Sequence, residues 1–272
     1  MLPPLEQAQT RSIAARKDHI GKEQERPILH PDTSISFLLG LFIYMDIVSC
    51  ASTRSSQLLT VNHKLLLDSD EINLADLTGC RNWVMVLIFE ISFLDNWKRK
   101  EERAHRLSLV EFTKRGRQIE ECLLGRLASL EDARSTRAPA SGYLPSDYSI
   151  TEITRIFALS AITYLHVVIS GAYPEIPDIK ESVSKTLDAL QSLSDSKLLQ
   201  HVVWPYCISG CLAVEEQEQK FRALMSSPHV THRTCLDALN IMEECWRLRE
   251  TERPNHDWTY IMKKDGQHIL LV

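Results

Sequence analysis

The residues of this sequence best suited to chemistry are two cysteines, Cys207 and Cys211, which stand four positions apart. On a helix they share one face, and with His201 upstream they offer the thiolate and imidazole groups that zinc prefers. No fourth ligand stands at a recognisable spacing, and apolar neighbours such as Ile208 and Leu212 surround the pair. Because free cysteine is among the most buried residue types, we expect both thiols in the core and predict no metal ligands.

A second candidate is the acidic run Asp68-Ser69-Asp70-Glu71. Clustered carboxylates can hold magnesium and a diphosphate, as they do in helical terpene cyclases. The spacing here differs, no second acidic cluster accompanies the run, and acidic and serine residues favour turns. Glycine-rich phosphate loops and the GxSxG turn are also absent. We therefore predict a solvated turn, no catalytic residues and no cofactor. An all-helical, terpene-cyclase-like enzyme acting on an apolar metabolite stays as the alternative.

The charge of the chain bears on its partners. It has 31 Lys and Arg residues against 36 Asp and Glu residues, a net charge of -5, and its pI is near 6.1. Proteins that follow nucleic-acid phosphates usually carry a basic excess, so we expect no direct nucleic-acid binding. One small basic cluster, Lys114, Arg115 and Arg117, is interpreted as solvated surface first and as a partner contact second.

The pattern of apolar residues predicts helices. They recur at helical spacing through most of the chain, and alternating strand patterns of any length are absent. Only 9 glycines are present, which favours long helices over many short strands. We predict an all-α fold, a multi-helix bundle of antiparallel helical hairpins. The expected helices cover residues 34–52, 56–67, about 77–103, a stripe over 109–127, 150–170, 179–193, 198–225 and 234–249.

Composition also divides the chain. Residues 1–33 are polar and aperiodic, so we expect a flexible lead-in before one helical domain over residues 34–272. Pro, Ser, Gly and Arg are concentrated near residues 131–147, which predicts a long exposed loop. The longest apolar runs, residues 35–48 and 83–94, are 14 and 12 residues long, whereas a bilayer span needs about 20. We therefore predict no membrane segment, and the N-terminus lacks the pattern of a secretory signal.

Several short blocks combine bulky anchors with small or polar residues. In chain order they are Tyr44–Val48 with Ala51–Thr53, Gly79–Trp83, Glu90–Ile91 with Leu94–Lys98, Gln118–Glu120, Trp204–Pro205 with Ser209–Cys211, Met242–Trp246, and Asp257–Trp258 with Gly266. This ordered set resembles the fungal-specific transcription factor domain, the C-terminal regulatory domain of Zn2Cys6-type fungal transcription factors.

We predict structural roles within these blocks. Gly210 would permit the close approach of two helices, and Asp46, Asp95 and Asp257 would serve as hydrogen-bonding or capping partners instead of catalytic acids. Aromatic side chains bury about 150–250 Å² each, so the five tryptophans are expected to be core anchors. They are Trp83, Trp97, Trp204, Trp246 and Trp258.

The resemblance implies a nuclear transcription regulator that is not an enzyme. None of the seven cysteines forms a CxxC pair, so the zinc cluster that reads DNA in this family is missing from the sequence. We expect either a truncated gene product or a regulator that acts through protein partners, a transcription factor or co-regulator. Such regulators resemble those of fungal secondary-metabolite gene clusters. A homo-oligomer is left open, and a helical scaffold without a transcriptional role is a further alternative.

Overall fold

The protein is built from helices. The computed structural model describes residues 31–69, 71–135, 147–226, 232–251, 257–264 and 271, and these residues contain no strand. The predicted all-α class is confirmed. The elements are α1 (Pro31–Thr53), α2 (His63–Asp68), α3 (Leu74–Thr78), α4 (Asn82–Arg103), α5 (Leu109–Ser135), α6 (Asp147–Ser170), α7 (Pro177–Gln191), a 3-10 turn (Ser196–His201), α8 (Val203–Gly210), α9 (Glu216–Leu224), α10 (Arg233–Glu250) and α11 (Trp258–Lys264).

The chain separates into two units, residues 1–35 and 36–272. Of the first unit only the start of α1 is described. The predicted boundary after residue 33 stays a prediction. The sites and contacts discussed below lie in the second unit.

Helix α6 is the centre of the bundle. It packs against α4, α5, α7 and α8, and apolar residues such as Phe157 and Leu165 are fully buried on it. Two ion pairs show that α5 runs antiparallel to α6. Glu131 near the end of α5 contacts Arg155 near the start of α6. Glu120, earlier on α5, contacts His166 near the end of α6. Consecutive helices therefore run antiparallel here, as hairpins.

The core is organised around Trp204. Its indole stacks on Phe157 with ring centroids 6.0 Å apart and an interplanar angle of 7°. Tyr164 meets the same indole edge-on at 6.0 Å and also contacts Trp258 at 6.4 Å. Offset and edge-to-face contacts of this kind stabilise aromatic cores beyond the area that they bury.

The anchor prediction holds for three of the five tryptophans. Trp204, Trp246 and Trp258 are buried. Trp83 and Trp97 are only partly buried on the edge of the core. Their exposed faces are covered by arginines of α5: the Arg126 guanidinium lies 5.5 Å from the Trp83 ring and the Arg115 guanidinium lies 4.4 Å from the Trp97 ring.

Two of the early helices differ from the prediction. The helix expected over 56–67 is reduced to α2, because Asn62 caps it and the preceding backbone donates to a buried aspartate described below. The helix expected from about residue 77 is interrupted at Gly79, whose φ of 78° is left-handed and ends α3. Helix α4 then starts at Asn82.

The segment predicted as one helix over 198–225 forms three pieces. The 3-10 turn ends at His201, α8 ends at Gly210, and α9 follows a residue, Glu215, with a φ of 48°. The predicted close approach at Gly210 is confirmed, because a Cβ there would collide with Sδ of Met242 on α10. Because the helical conformation breaks on both sides of α8, this short helix is surrounded by the core, and all of its residues are buried.

The exposed loop expected near residues 131–147 stays a prediction, although the helices on either side extend into that range. Helix α5 continues to Ser135, and α6 already begins at Asp147. Residues 136–146 lie outside the described part of the structure.

Among the described residues, two helices are long and apolar enough to cross a membrane by length and composition alone, residues 34–53 of α1 and 147–170 of α6. Helix α6 does not contain one of the longest unbroken apolar runs of the sequence, because Glu152 and Arg155 interrupt its first turns. Its most apolar window is 78% buried, so its hydropathy is explained by a central position among other helices. The window of α1 is 44% buried, and Phe37, Leu38 and Phe42 are half exposed on it.

Candidate functional site

A groove runs along α6 between α5 and α7 and encloses about 560 Å³. Helix α6 forms its floor from Arg155 to His166, a span of about 16 Å at a rise of 1.5 Å per residue. One wall is the face of α5 between Glu120 and Glu131, and the other is the face of α7 between Asp178 and Asp188. The three antiparallel helices thus create a trough that is open along one side. We call it the acidic groove, for reasons given next.

The bottom of the acidic groove is apolar. Leu127, Leu159 and Ile162 meet there, and each is less than a tenth exposed. Leu124 stands above them with half of its surface exposed. Covering these apolar residues with another apolar side chain removes them from water and therefore lowers the free energy.

Ion pairs fix the two ends of the acidic groove. At one end Arg155 Nε donates to Glu131 Oε1 at 3.2 Å. At the other end the His166 ring bridges two helices: its Nε2 lies 3.1 Å from Glu120 Oε1 and its Nδ1 lies 3.1 Å from the Asp178 carbonyl oxygen. These contacts hold the three helices at a constant spacing.

The rim of the groove carries an excess of negative charge. It contains five carboxylates and two permanent cations, Arg155 and Lys185. Both cations are already paired, Lys185 with Glu181 at 2.6 Å. The exposed carboxylates of Asp178 and Asp188 make no ion pair with the described residues. The groove therefore favours a ligand that is apolar on one side and cationic at its edges.

The predicted basic cluster lies further along the same helix, α5. Lys114 and Arg117 are exposed and line a shallow depression together with Leu109 and Val110, which are 69% and 83% exposed. We call these four residues the basic patch. Arg115 does not belong to it, because its guanidinium is bound to Glu111 at 2.7 Å and stacked on Trp97.

The acidic run Asp68-Ser69-Asp70-Glu71 is only partly described by the structure. Asp68 is the last residue of α2 and lies at the edge of a second groove of about 460 Å³, beside Lys64 and Trp83. Glu71 is exposed, and Asp70 lies outside the described residues. Within the part of the chain that is described, no three His, Cys, Asp or Glu side chains are grouped as metal ligands.

Six of the seven cysteines are buried, and Cys207 and Cys211 are core residues as predicted, 0% and 3% exposed. His201 is exposed on the 3-10 turn. Burial raises the pKa of the Cys211 thiol well above its usual value, with further effects from Cys207 and Cys245. A buried thiol of this kind is a poor nucleophile, because only the thiolate reacts.

A buried Asp-His pair was missed by the sequence analysis. His63 is fully buried on α2, and its Nε2 lies 2.8 Å from Asp46 Oδ2 on α1. The same carboxylate accepts the backbone N–H groups of Leu58 and Leu59 at 2.9 and 3.1 Å. Asp46 therefore fixes the connection between α1 and α2, which is the hydrogen-bonding role predicted for it.

The neighbouring Cys50 does not turn this pair into a nucleophilic site. Its Sγ lies 3.8 Å from Asp46 Oδ1. Burial and the negative charge of Asp46 raise the pKa of the Cys50 thiol to about 12. The thiol is protonated at neutral pH, so the three residues form a structural contact.

The other two predicted aspartates, Asp95 and Asp257, belong to a second, partly buried cluster, in which Arg54 joins them. Asp95 on α4 is fully buried and accepts from Arg54 at 2.9 and 2.6 Å, and Arg99 lies 3.1 Å away. Arg54 Nη1 also lies 3.7 Å from Asp257, which caps α11 through the Tyr260 N–H. Blocks that are far apart in the sequence are therefore neighbours in space, and their polar residues fasten helices together.

A family model described as fungal specific transcription factor domain matches residues 10–272. The trichothecene biosynthesis transcription regulator TRI10 of Trichoderma arundinaceum is 34% identical over 244 residues, which are 88% of this chain and 54% of that protein. TRI10 of Fusarium sporotrichioides is 33% identical over 88% of this chain and 54% of its own length. The ustiloxin B cluster transcription factor ustR of Aspergillus flavus is 32% identical over 85% of this chain and 42% of its own length.

The chain thus spans about half the length of the curated relatives that it matches. No solved structure matches it significantly. The family match extends over nearly all of the chain, from before α1 to the C-terminal residue, and confirms the resemblance seen in the ordered blocks. The chain therefore belongs to the family of fungal specific transcription factor domains.

Proposed function

We propose that this chain is the regulatory part of a fungal transcription regulator that controls a secondary-metabolite gene cluster in the nucleus. The observation that carries the proposal is its similarity to TRI10 and ustR, whose names state that they regulate trichothecene biosynthesis and the ustiloxin B cluster. The family match over residues 10–272 supports the same assignment.

In this proposal the chain works by binding proteins and not by catalysis or by contacting DNA. Its net charge of -5 is unfavourable for following phosphates. Its acidic groove and basic patch are surfaces of the kind that bind other proteins, with apolar residues bordered by charge. The buried thiols and the locked Asp46–His63 pair support structural roles for the residues that could otherwise react.

Deletion of the gene tests the regulatory role directly. In the producing fungus, transcripts of the biosynthetic genes near the locus should rise or fall, and the chain restored on a plasmid should return them to their original level. A variant with Asp95→Ala and Trp258→Ala, which removes two buried anchors, is the matched control and should fail to restore them. Unchanged transcripts after deletion would contradict the proposal.

A tethering experiment separates a regulator from a helical scaffold without a transcriptional role. The chain is fused to a heterologous DNA-binding domain, and a reporter with the matching operator is measured. A regulator should change reporter expression, whereas the Asp95→Ala and Trp258→Ala control fusion should not. Equal expression from both fusions, at equal protein levels, favours the scaffold.

A further inference from the structure

Helix α5 carries opposite charges on the two halves of one stripe that runs along its surface. Residues spaced alternately by three and four positions lie on one face of a helix. Here that face begins in the basic patch and ends in the wall of the acidic groove, over about 33 Å for residues 109–131 at 1.5 Å per residue. Its members are Val110, Thr113, Arg117, Glu120, Leu124, Leu127 and Glu131.

The basic half is unsatisfied within the described structure. Lys114 and Arg117 are exposed and make no ion pair or hydrogen bond with the described residues. Leu109 and Val110 beside them are more than two thirds exposed. An exposed apolar pair next to unpaired cations is typical of a helix face that binds a partner.

The acidic half has the complementary composition. Its apolar floor includes Leu127, Leu159 and Ile162, and its rim includes the unpaired carboxylates of Asp178 and Asp188. A ligand that complements this groove is a short helix face with exposed apolar residues and two cations. The basic patch of the same chain has that chemistry.

We propose that the acidic groove of one copy binds the basic patch of a second copy, and that the reverse contact forms at the same time. Because one stripe of α5 runs from the basic patch into the wall of the acidic groove, two antiparallel α5 helices related by a two-fold axis bring each patch to the other copy's groove. Such an interface is isologous and closes as a dimer, so association stops at two copies. This inference does not depend on the proposed regulatory function.

The two-fold arrangement also explains how modest surfaces can associate. A specific interface buries about 800 Å² per partner, more than one short patch offers, but here every contact is made twice. Leu109 and Val110 would cover Leu124 and the groove floor, while Lys114 and Arg117 would meet Asp178 and Asp188. Charged rims of this type determine register and make association depend on salt.

Charge exchange tests the proposal in the full chain. One variant reverses the patch (Lys114→Glu with Arg117→Glu), and the other reverses the groove (Asp178→Lys with Asp188→Lys). Each variant alone places like charges at both contacts, so sedimentation velocity should show self-association at least about tenfold weaker than wild type. An equal mixture of the two variants restores opposite charges at both contacts, so heterodimers should form with nearly the wild-type affinity.

The mixture also shows that both variants are folded, since unfolded chains could not restore the complex. The matched control, Lys197→Glu with Lys220→Glu, makes the same charge change at exposed positions outside both surfaces and should associate like wild type. Raising the salt from about 0.1 M to about 1 M shortens the Debye length from about 10 Å to about 3 Å and should weaken the wild-type dimer. A wild-type chain that stays monomeric, a dimer insensitive to both reversals, or a mixture without heterodimers would each overturn the proposal.

Discussion

The indole Nε1 of Trp258 donates a hydrogen bond to the carbonyl oxygen of Ser52 at 2.9 Å, although 206 positions separate the two residues. Ser52 lies in the last turn of α1, and Trp258 is the first residue of α11. Two residues after Ser52, Arg54 joins Asp95 of α4 to Asp257. The first and last helices described here therefore meet at one buried junction, which closes the domain.

Two substitutions of Trp258 should separate the contribution of its hydrogen bond from that of its ring packing. Trp258→Phe keeps most of the apolar packing but leaves the Ser52 carbonyl without its donor, at a cost of roughly 1–3 kcal/mol. Trp258→Ala removes a fully buried ring and should cost about 3–5 kcal/mol of unfolding free energy. Urea denaturation followed by circular dichroism measures both. Equal costs for the two variants would show that ring packing adds nothing beyond the hydrogen bond, whereas a Trp258→Phe variant as stable as wild type would show that the hydrogen bond contributes nothing.

Asp95 is the second element of the junction. Asp95→Ala leaves Arg54 and Arg99 without their shared buried acceptor, and we expect a loss of roughly 2–3 kcal/mol. The loss should be below that of a fully buried pair, because the arginine side chains are 19% and 30% exposed. The same urea titration measures it. Glu111→Gln, which breaks the exposed pair with Arg115, is the control and should leave the transition midpoint nearly unchanged.

The positions of the long helices could be predicted from the sequence, whereas their interruptions could not. Apolar periodicity extends through α4, α6 and α10, so these helices were found within a few residues of their ends. The breaks at Gly79 and before α9 depend on tertiary contacts. The backbone near Leu58 turns away from a helix because it donates to Asp46, twelve positions earlier, and local propensity contains no record of that contact.

The candidate binding surfaces were only partly predictable. Lys114 and Arg117 were visible as a basic cluster, because they are close in sequence. The acidic groove was missed, because its carboxylates come from α5 and α7, which are adjacent only through α6. Within the sequence of α7, the spacing of Asp188 is the same as that of any solvent-exposed acidic residue on a helix. The signal that was present is the alternating spacing of three and four residues along one face of α5, from Val110 to Glu131.

The thiols should differ strongly in reactivity. Cys122 is exposed on α5, whereas the other six cysteines are buried. Burial raises the pKa of Cys235 to about 11 and that of Cys50 to about 12, so little thiolate is present at mildly alkaline pH. We expect one thiol to react rapidly with Ellman's reagent in the native protein and the others only after unfolding. Cys122→Ser should abolish the rapid phase. A second rapid thiol in that variant would contradict the burial seen here.

Gly125 and Gly210 are both glycines within helices, but Gly210 is tightly packed and Gly125 has open space around it. Replacing each by alanine should therefore have opposite effects on stability. A Cβ at Gly210 would collide with Met242 and approach Phe221 Cδ1 to 3.2 Å, whereas a Cβ at Gly125 would meet nothing within 4 Å. Gly210→Ala should therefore destabilise by about 1–3 kcal/mol through overpacking. Gly125→Ala should stabilise by roughly 0.5–1 kcal/mol, since alanine loses less backbone entropy in a helix. Urea unfolding of both variants measures the difference in sign.

A double-mutant cycle identifies Met242 as the cause. Met242→Ala removes the side chain that occupies the space next to Gly210, so in that background Gly210→Ala should cost less than about 0.5 kcal/mol. If the cost of Gly210→Ala is unchanged when Met242 is absent, the strain arises elsewhere, and the close approach of α8 and α10 is not what requires glycine. If the cost disappears, the contact between these two helices is tight enough to exclude a single methyl group.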